Sequence, residues 1–215
     1  MSGETVDYQP ETQSRYTLTR VHGEGGLGQV WLATDPMLNR EIALKRIRPG
    51  KGSSRDAQLR LIKEAQITGQ LEHPNIIPVY ELEQYDEKGR PYYTMKFLRG
   101  DTLNDRIKKY HRKKKKGEDD PLGLISLLNS FIDICNAIAY AASRGIVHRD
   151  LKPQNVMIGD FGEVIVLDWG LAKKIESQED DSSRKELRLG DMLDSTETVA
   201  GQVVGSPAYL SLIHI

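Results

Sequence analysis

The sequence predicts an α+β fold in two parts, and three observations carry that reading. Five short β-like runs surround a single helix between residues 16 and 98. A mainly helical stretch follows from about residue 103 to 144, with small strand pairs after it. Between two apolar segments, "GIV" and "VMI", lies the charged cluster "HRDLKPQN" at 148–155. Such clusters ordinarily sit in solvated loops, so one entered and left through apolar chain must lie close to a core.

Taken in order, residues 1–15 read as a flexible arm. "YTLTRV", "QVWLAT" and "EIALKRI" follow as β-like runs, separated by glycine-rich "HGEGGLG" and turn-forming "DPMLNR". "RDAQLRLIKEAQITGQLE" reads as a helix, and "NIIPVYELE" and "PYYTMKFL" as two further strands. The run "KKYHRKKKKGEDD" at 108–120 interrupts the helical half and reads as a solvated loop, with a docking patch as the alternative. "PLGLISLLNSFIDICNAIAYAA" is the most apolar stretch. Asn129, Asp133 and Asn136 would be costly in lipid, so a buried amphipathic helix is expected there and no membrane segment. From about residue 174 to 204 the chain is polar with few apolar anchors and reads as mobile.

The 215 residues are 38% hydrophobic and 28% charged, which is ordinary globular composition. A net charge of −1 gives no global field toward nucleic acid or membrane. The single cysteine, Cys135, excludes an internal disulfide, and the polar N-terminus carries no apolar signal core. A cytoplasmic setting is expected, with anchoring of a longer parent protein left open.

Gly23, Gly25, Gly26 and Gly28 lie between two strands, because "VWLA" continues as β-structure. A dinucleotide fingerprint needs a helix there, so that reading fails. A glycine-rich turn between strands can lay its backbone N–H groups over phosphates; a plain flexible hairpin is the competing reading. Alternation puts Ala43 and Lys45 on one strand face and Ile42 and Leu44 on the other. In the helix, Leu61, Glu64, Ala65 and Thr68 share one stripe. Glu64 is therefore a carboxylate on a semi-apolar face and needs a partner, and Lys45 is the available cation. Asp150 and Asn155 flank Lys152, and Asp168 ends a second apolar strand. Asn155 and Asp168 are hard oxygen donors suited to Mg²⁺. Asp150 could accept a hydroxyl proton, and Lys152 could neutralise a transferring phosphoryl group.

These motifs, in this order over residues 16–210, resemble the eukaryotic-type (Hanks-type) protein kinase family: Gly23-x-Gly25-x-x-Gly28-x-Val30, Ala43-Leu44-Lys45, Glu64, His148-Arg149-Asp150, Asn155, and Asp168-Trp169-Gly170. Protein kinases are a standard template for phosphoryl transfer. Lys152, two places after Asp150, resembles the serine/threonine class, and "DWGLAK" the bacterial members. The resemblance implies a bilobal protein-kinase-like fold: a small antiparallel-sheet lobe with one helix (16–99) and an incomplete, mainly helical lobe (100–210). It implies transfer of the ATP γ-phosphoryl group to Ser or Thr of a protein substrate, with ATP and Mg²⁺ bound between the halves. His22, Gly23, Glu24, Gly25, Gly26, Leu27, Gly28 and Gln29 would cover the phosphates and the nucleotide. Val30, Ala43 and Met157 would sandwich the adenine, Met95 would stand behind it, and the backbones of Lys96 and Leu98 would meet its edge. Lys45, oriented by Glu64, would hold phosphates; Asp150 would be the base, assisted by Lys152; Asn155 and Asp168 would be the metal ligands. Tyr140 and His73 read as structural. Arg149 would pair with a phosphate on Thr198 or Thr196, added by autophosphorylation.

Four departures stand out. Trp169 replaces the usual Phe, His22 an apolar roof, and Lys96 a hinge Glu. After "GSPAYL" the expected Pro-Glu is Leu212-Ile213, so 211–215 reads as an atypical tail and the larger lobe as shortened. Apolar surface on the 122–142 helix is then expected to lack partners. The alternatives are an inactive shortened kinase or a nucleotide-binding pseudokinase scaffold, which usually lacks the lysine, base or metal ligand, and a small-molecule phosphotransferase. Lys45, Asp150, Asn155 and Asp168 are all present. Lys152, "HPNI" and "GSPAYL" argue against the phosphotransferase.

Overall fold

The computed structural model describes residues 12–13, 15–25, 28–48, 55–83 and 89–174. The chain divides into two compact units, one of residues 1–65 and 79–97, the other of residues 66–78 and 98–215.

The first unit is a six-stranded antiparallel sheet in the order β1-β2-β3-β4-β6-β5. Its strands are β1 (Thr12–Gln13), β2 (Tyr16–Glu24), β3 (Gly28–Asp35), β4 (Arg40–Ile47), β5 (Val79–Glu83) and β6 (Tyr92–Lys96). Alternation gives the sheet two buried faces. Leu18, Trp31, Ile42 and Leu44 pack on one. Ile47 and Tyr93 pack on the other with Ala57, Leu61 and Ala65 of helix α1 (Arg55–Gly69). The stripe expected on α1 is buried throughout, at Leu61, Glu64, Ala65 and Thr68. The strand expected from residue 75 begins only at Val79. Asn75 to Ile77 belong instead to the second unit, where Val166 donates to the Asn75 carbonyl and Ile77 donates to that of Val166.

Among the described residues the second unit holds α2 (Leu103–Lys115), α3 (Pro121–Ser143) and five short strands. β7 (Gly100–Thr102), β9 (Val156–Gly159) and β10 (Val164–Val166) form one antiparallel sheet, and β8 (Ile146–Val147) pairs with β11 (Lys173–Lys174). Its core gathers Ile134, Ala137 and Ala141 of α3 with Ile146, Val156, Val166, Trp169 and Ile67. The His73 and Tyr140 rings lie 5.2 Å apart, the Asn75 N–H donates to His73 Nδ1 at 3.1 Å, and Asn75 Nδ2 donates to the Val164 carbonyl at 2.9 Å.

Two expectations need correction. Residues 108–115 are not a loop but the continuation of α2, capped by Thr102, whose hydroxyl accepts from the Asp105 N–H. Lysine and arginine are good helix formers, and a basic last turn complements the helix dipole. Nor is α3 buried as a whole. Only Ser130, Ile134, Ala137 and Ala141 are, while Leu122, Ile125, Leu128, Phe131 and Ile132 are 52–77% exposed. This helix is long and apolar enough to cross a membrane by length and composition alone.

Candidate active site

In the first unit the strand register builds a cation–carboxylate pair. Val30 of β3 and Tyr93 of β6 lie on either side of Lys45. Lys45 Nζ donates to Glu64 Oε1 at 2.5 Å, and the Tyr93 hydroxyl donates to the same oxygen at 2.8 Å. Glu64 is 7% exposed, so an unpartnered carboxylate there would be costly. Two donors fix it, and it in turn holds the ammonium against wandering. Tyr93 was not singled out from the sequence, although its place directly across from Lys45 follows from pairing "EIALKRI" with "PYYTMKFL".

The glycine-rich hairpin joins β2 to β3, and the Gly25 N–H donates to the Gly28 carbonyl. A Cβ on Gly28 would lie 3.3 Å from the Arg46 carbonyl, a tight contact with backbone, and 3.4 Å from Lys45 Cε, an ordinary one. A Cβ on Gly23 would meet nothing within 4 Å, and one on Gly25 only the Gly28 carbonyl at 4.0 Å. Among the described residues, packing requires neither glycine. Gln29 Nε2 binds Glu24 Oε1 at 2.6 Å, and the His22 ring meets Phe97 edge-on at 4.9 Å. Gly26 and Leu27 lie outside the described residues. Ala43 pairs with Met95, and Ile42 with Lys96. Ala43 is buried, and Met95 and Lys96 are half-buried.

The second unit carries the acidic set. Asp150 is 9% exposed. Its Oδ2 accepts from Lys152 Nζ at 2.7 Å and from Asn155 Nδ2 at 3.2 Å. Asn155 Nδ2 also donates to the Asp150 carbonyl at 2.9 Å, tying the two ends of the "DLKPQN" turn. The Leu167 N–H donates to the Asn155 carbonyl at 2.8 Å, which brings Asp168 beside Asn155. His148 is the hidden organiser. Its Nδ1 accepts from the Asp150 N–H at 3.2 Å and its Nε2 bonds the Leu167 carbonyl at 3.0 Å. These partners require the neutral Nε2–H tautomer, and burial holds the imidazole pKa below its ordinary value. The His148 ring lies 4.6 Å from that of Trp169, tilted by 55°, and Trp169 is 1% exposed. Arg149 and Asp168 adopt left-handed backbone, φ 63° and 58°. Such residues cost of order 1–3 kcal/mol each and persist where surroundings over-determine them. Arg149 Nε donates to the Leu171 carbonyl at 2.7 Å. Leu98 is buried and Met157 half-buried in this unit. Thr196, Thr198 and the "GSPAYL" segment lie outside the described residues.

A Mg²⁺ ion suits this donor set. Asn155 spends its amide N–H groups on Asp150, which turns Oδ1 to the role of acceptor. For this ion phosphate and water oxygens usually complete a shell begun by one or two side-chain oxygens.

An acid–amide–lysine turn beside a second aspartate, and a strand lysine held by a helix glutamate, define the protein kinase class. The model of the protein kinase domain family matches residues 16–211, and the chain belongs to that family. It is similar to serine/threonine-protein kinases named PknD: 44% identical over 204 residues to that of Protochlamydia amoebophila, 38% over 199 to that of Chlamydia caviae and 36% over 204 to that of a Chlamydia trachomatis strain. These matches cover 91–92% of this chain but only 20–22% of the relatives, so the chain spans about a fifth of their length.

Proposed function

We propose that this domain, residues 16–210, transfers the γ-phosphoryl group of ATP to serine or threonine hydroxyls of protein substrates. The observation that carries the reading is the setting of Asp150: a nearly buried carboxylate held through one oxygen by Lys152 and Asn155. In this reading Asp150 takes the proton from the attacking hydroxyl, which contributes about 10²–10⁴ in rate. Lys152, already beside Asp150, offsets charge on the transferring phosphoryl group. Lys45, fixed by Glu64 and Tyr93, holds the α- and β-phosphates, under the open backbone of Gly23 and Gly25. Val30, Ala43, Met95, Lys96, Leu98 and Met157 take the adenine. Asn155 and Asp168 hold Mg²⁺, which when bound neutralises phosphate charge. Presence of the lysine, base and both metal ligands favours a catalyst over a pseudokinase scaffold. A cytoplasmic setting fits ATP use and the exposed free Cys135, and autophosphorylation at Thr198 or Thr196 would give Arg149 a phosphate to pair with.

The test is phosphoamino-acid analysis of a protein substrate incubated with γ-labelled ATP and Mg²⁺. Labelled phosphoserine or phosphothreonine is expected from the native chain and none from Lys45→Met. Equal labelling by both removes Lys45 from the mechanism. A native chain that binds MgATP yet labels nothing favours the scaffold.

A further inference from the structure

Residues 106–116 hold eight Lys and Arg and no Asp or Glu, in a chain whose net charge is −1. The helix dipole accounts for Arg112 to Lys115, in the last turn of α2. It does not reach Arg106 and Lys109, which stand earlier in the helix. Arg106, Lys109, Tyr110 and Lys113 recur at i, i+3, i+4 and i+7 and so share one face. They line a cavity of about 170 Å³ that α3 and β9 close with apolar Leu127 and Ile158. Asp120, also at its wall, is already matched: Lys113 Nζ bonds it at 2.7 Å, and it caps α3 through the Gly123 N–H at 3.0 Å. Arg106 pairs with Asp101 at 2.9 Å. Lys109 is exposed and adds a weaker charge attraction to Asp120, whose bonded partner is Lys113.

We infer that this recess docks an acidic segment of a protein partner, one apolar side chain seated against Leu127 and Ile158 and flanking carboxylates on Lys109 and its basic neighbours. The volume holds a single side chain, and the rim carries the complementary charge that speeds and orients encounter. A flat layer of lipid headgroups would not fill a recess, and half-buried Tyr110 offers no open platform for stacking bases. The inference concerns binding and stands apart from catalysis.

The experiment is fluorescence anisotropy of the intact chain with a labelled peptide of glutamates around one central leucine. Saturable binding that weakens with salt is expected. Lys109→Glu is expected to weaken it about tenfold or more, and Ser126→Trp, which fills the recess, to abolish it, with far-UV circular dichroism unchanged. Replacing the peptide's leucine by serine should cost as much. No saturable binding overturns the inference, as does affinity indifferent to both substitutions or to the leucine. Tighter binding to phosphatidylserine-rich vesicles or to a single-stranded oligonucleotide also overturns it and reassigns the surface.

Discussion

The two residue sets of the proposed catalytic site are held in different ways. Lys45 and Glu64 sit on regular elements, a strand and a helix, and their pairing follows from period-2 and period-3.6 spacing. Asp150 and Asp168 sit on irregular chain and Asn155 ends a single 3-10 turn, Pro153–Asn155, all fixed by bonds such as His148 to Leu167 and Asn155 to Asp150. Two of the three left-handed non-glycine residues in the described chain, Arg149 and Asp168, fall in this second half. A repeating element positions a side chain cheaply but only to its own spacing. A strained loop brings several charges to one point, and depends on every bond around it.

The largest effect expected from breaking that contrast is in the loop. Asp150→Asn should lower phosphoryl transfer by about 10²–10⁴ while circular dichroism stays native, because Asn155 can still bond the residue-150 carbonyl. Transfer within tenfold of native would leave Asp150 without the base's role.

Next comes the regular half. Lys45→Met leaves Glu64 buried with Tyr93 as partner and should cost about 1–3 kcal/mol of stability in denaturant unfolding. Glu64→Gln should recover part of that loss, since the uncompensated charge is then gone. Additive losses in the double variant would mean the two side chains do not depend on each other.

The loop half should also be acid-sensitive. His148 has its pKa held below the ordinary 6.5 by burial. Above that value the side chain is neutral in folded and unfolded chains alike, and no penalty arises. Below it the unfolded chain binds a proton that the folded chain refuses, so stability falls as pH falls. The melting temperature should therefore drop from about pH 7.5 to about pH 5.5, and His148→Phe should flatten the drop. An identical slope in that variant would point to other groups.

The smallest effect is at Tyr93. Tyr93→Phe removes a hydroxyl that donates to Glu64 and should cost about 0.5–1.5 kcal/mol, with Lys45 retaining its pair. Loss of all activity in Tyr93→Phe would show that the hydroxyl, and not the strand–helix framework, orders the pair.

How far the sequence was legible follows the same division. Lys45 facing Glu64, and the stripe of Leu61, Ala65 and Thr68, came directly from periodicity. Asp150, Lys152 and Asn155 were legible as a motif, but nothing in their spacing reported the left-handed backbone at Arg149 or the role of His148. His148 bonds the Leu167 carbonyl, 19 residues away, and Arg149 that of Leu171, 22 residues away. The helix through 108–115 was hidden because a run of lysines lacks the apolar stripe that marks helices, although each lysine favours one. The bare face of α3 was expected from its apolar surface, while burial of the helix as a whole was not met. Ser130, Ala137 and Ala141 mark the narrow strip where it meets the core.

The central claim is that both halves serve a single phosphoryl transfer, and its most direct measurement is single-turnover transfer from MgATP by Lys45→Met, Asp150→Asn and the double variant. Residues acting as a unit lose activity non-additively. The double variant is expected to fall no lower than the worse single one. Losses that multiply, or a single variant that keeps native turnover, would contradict the account.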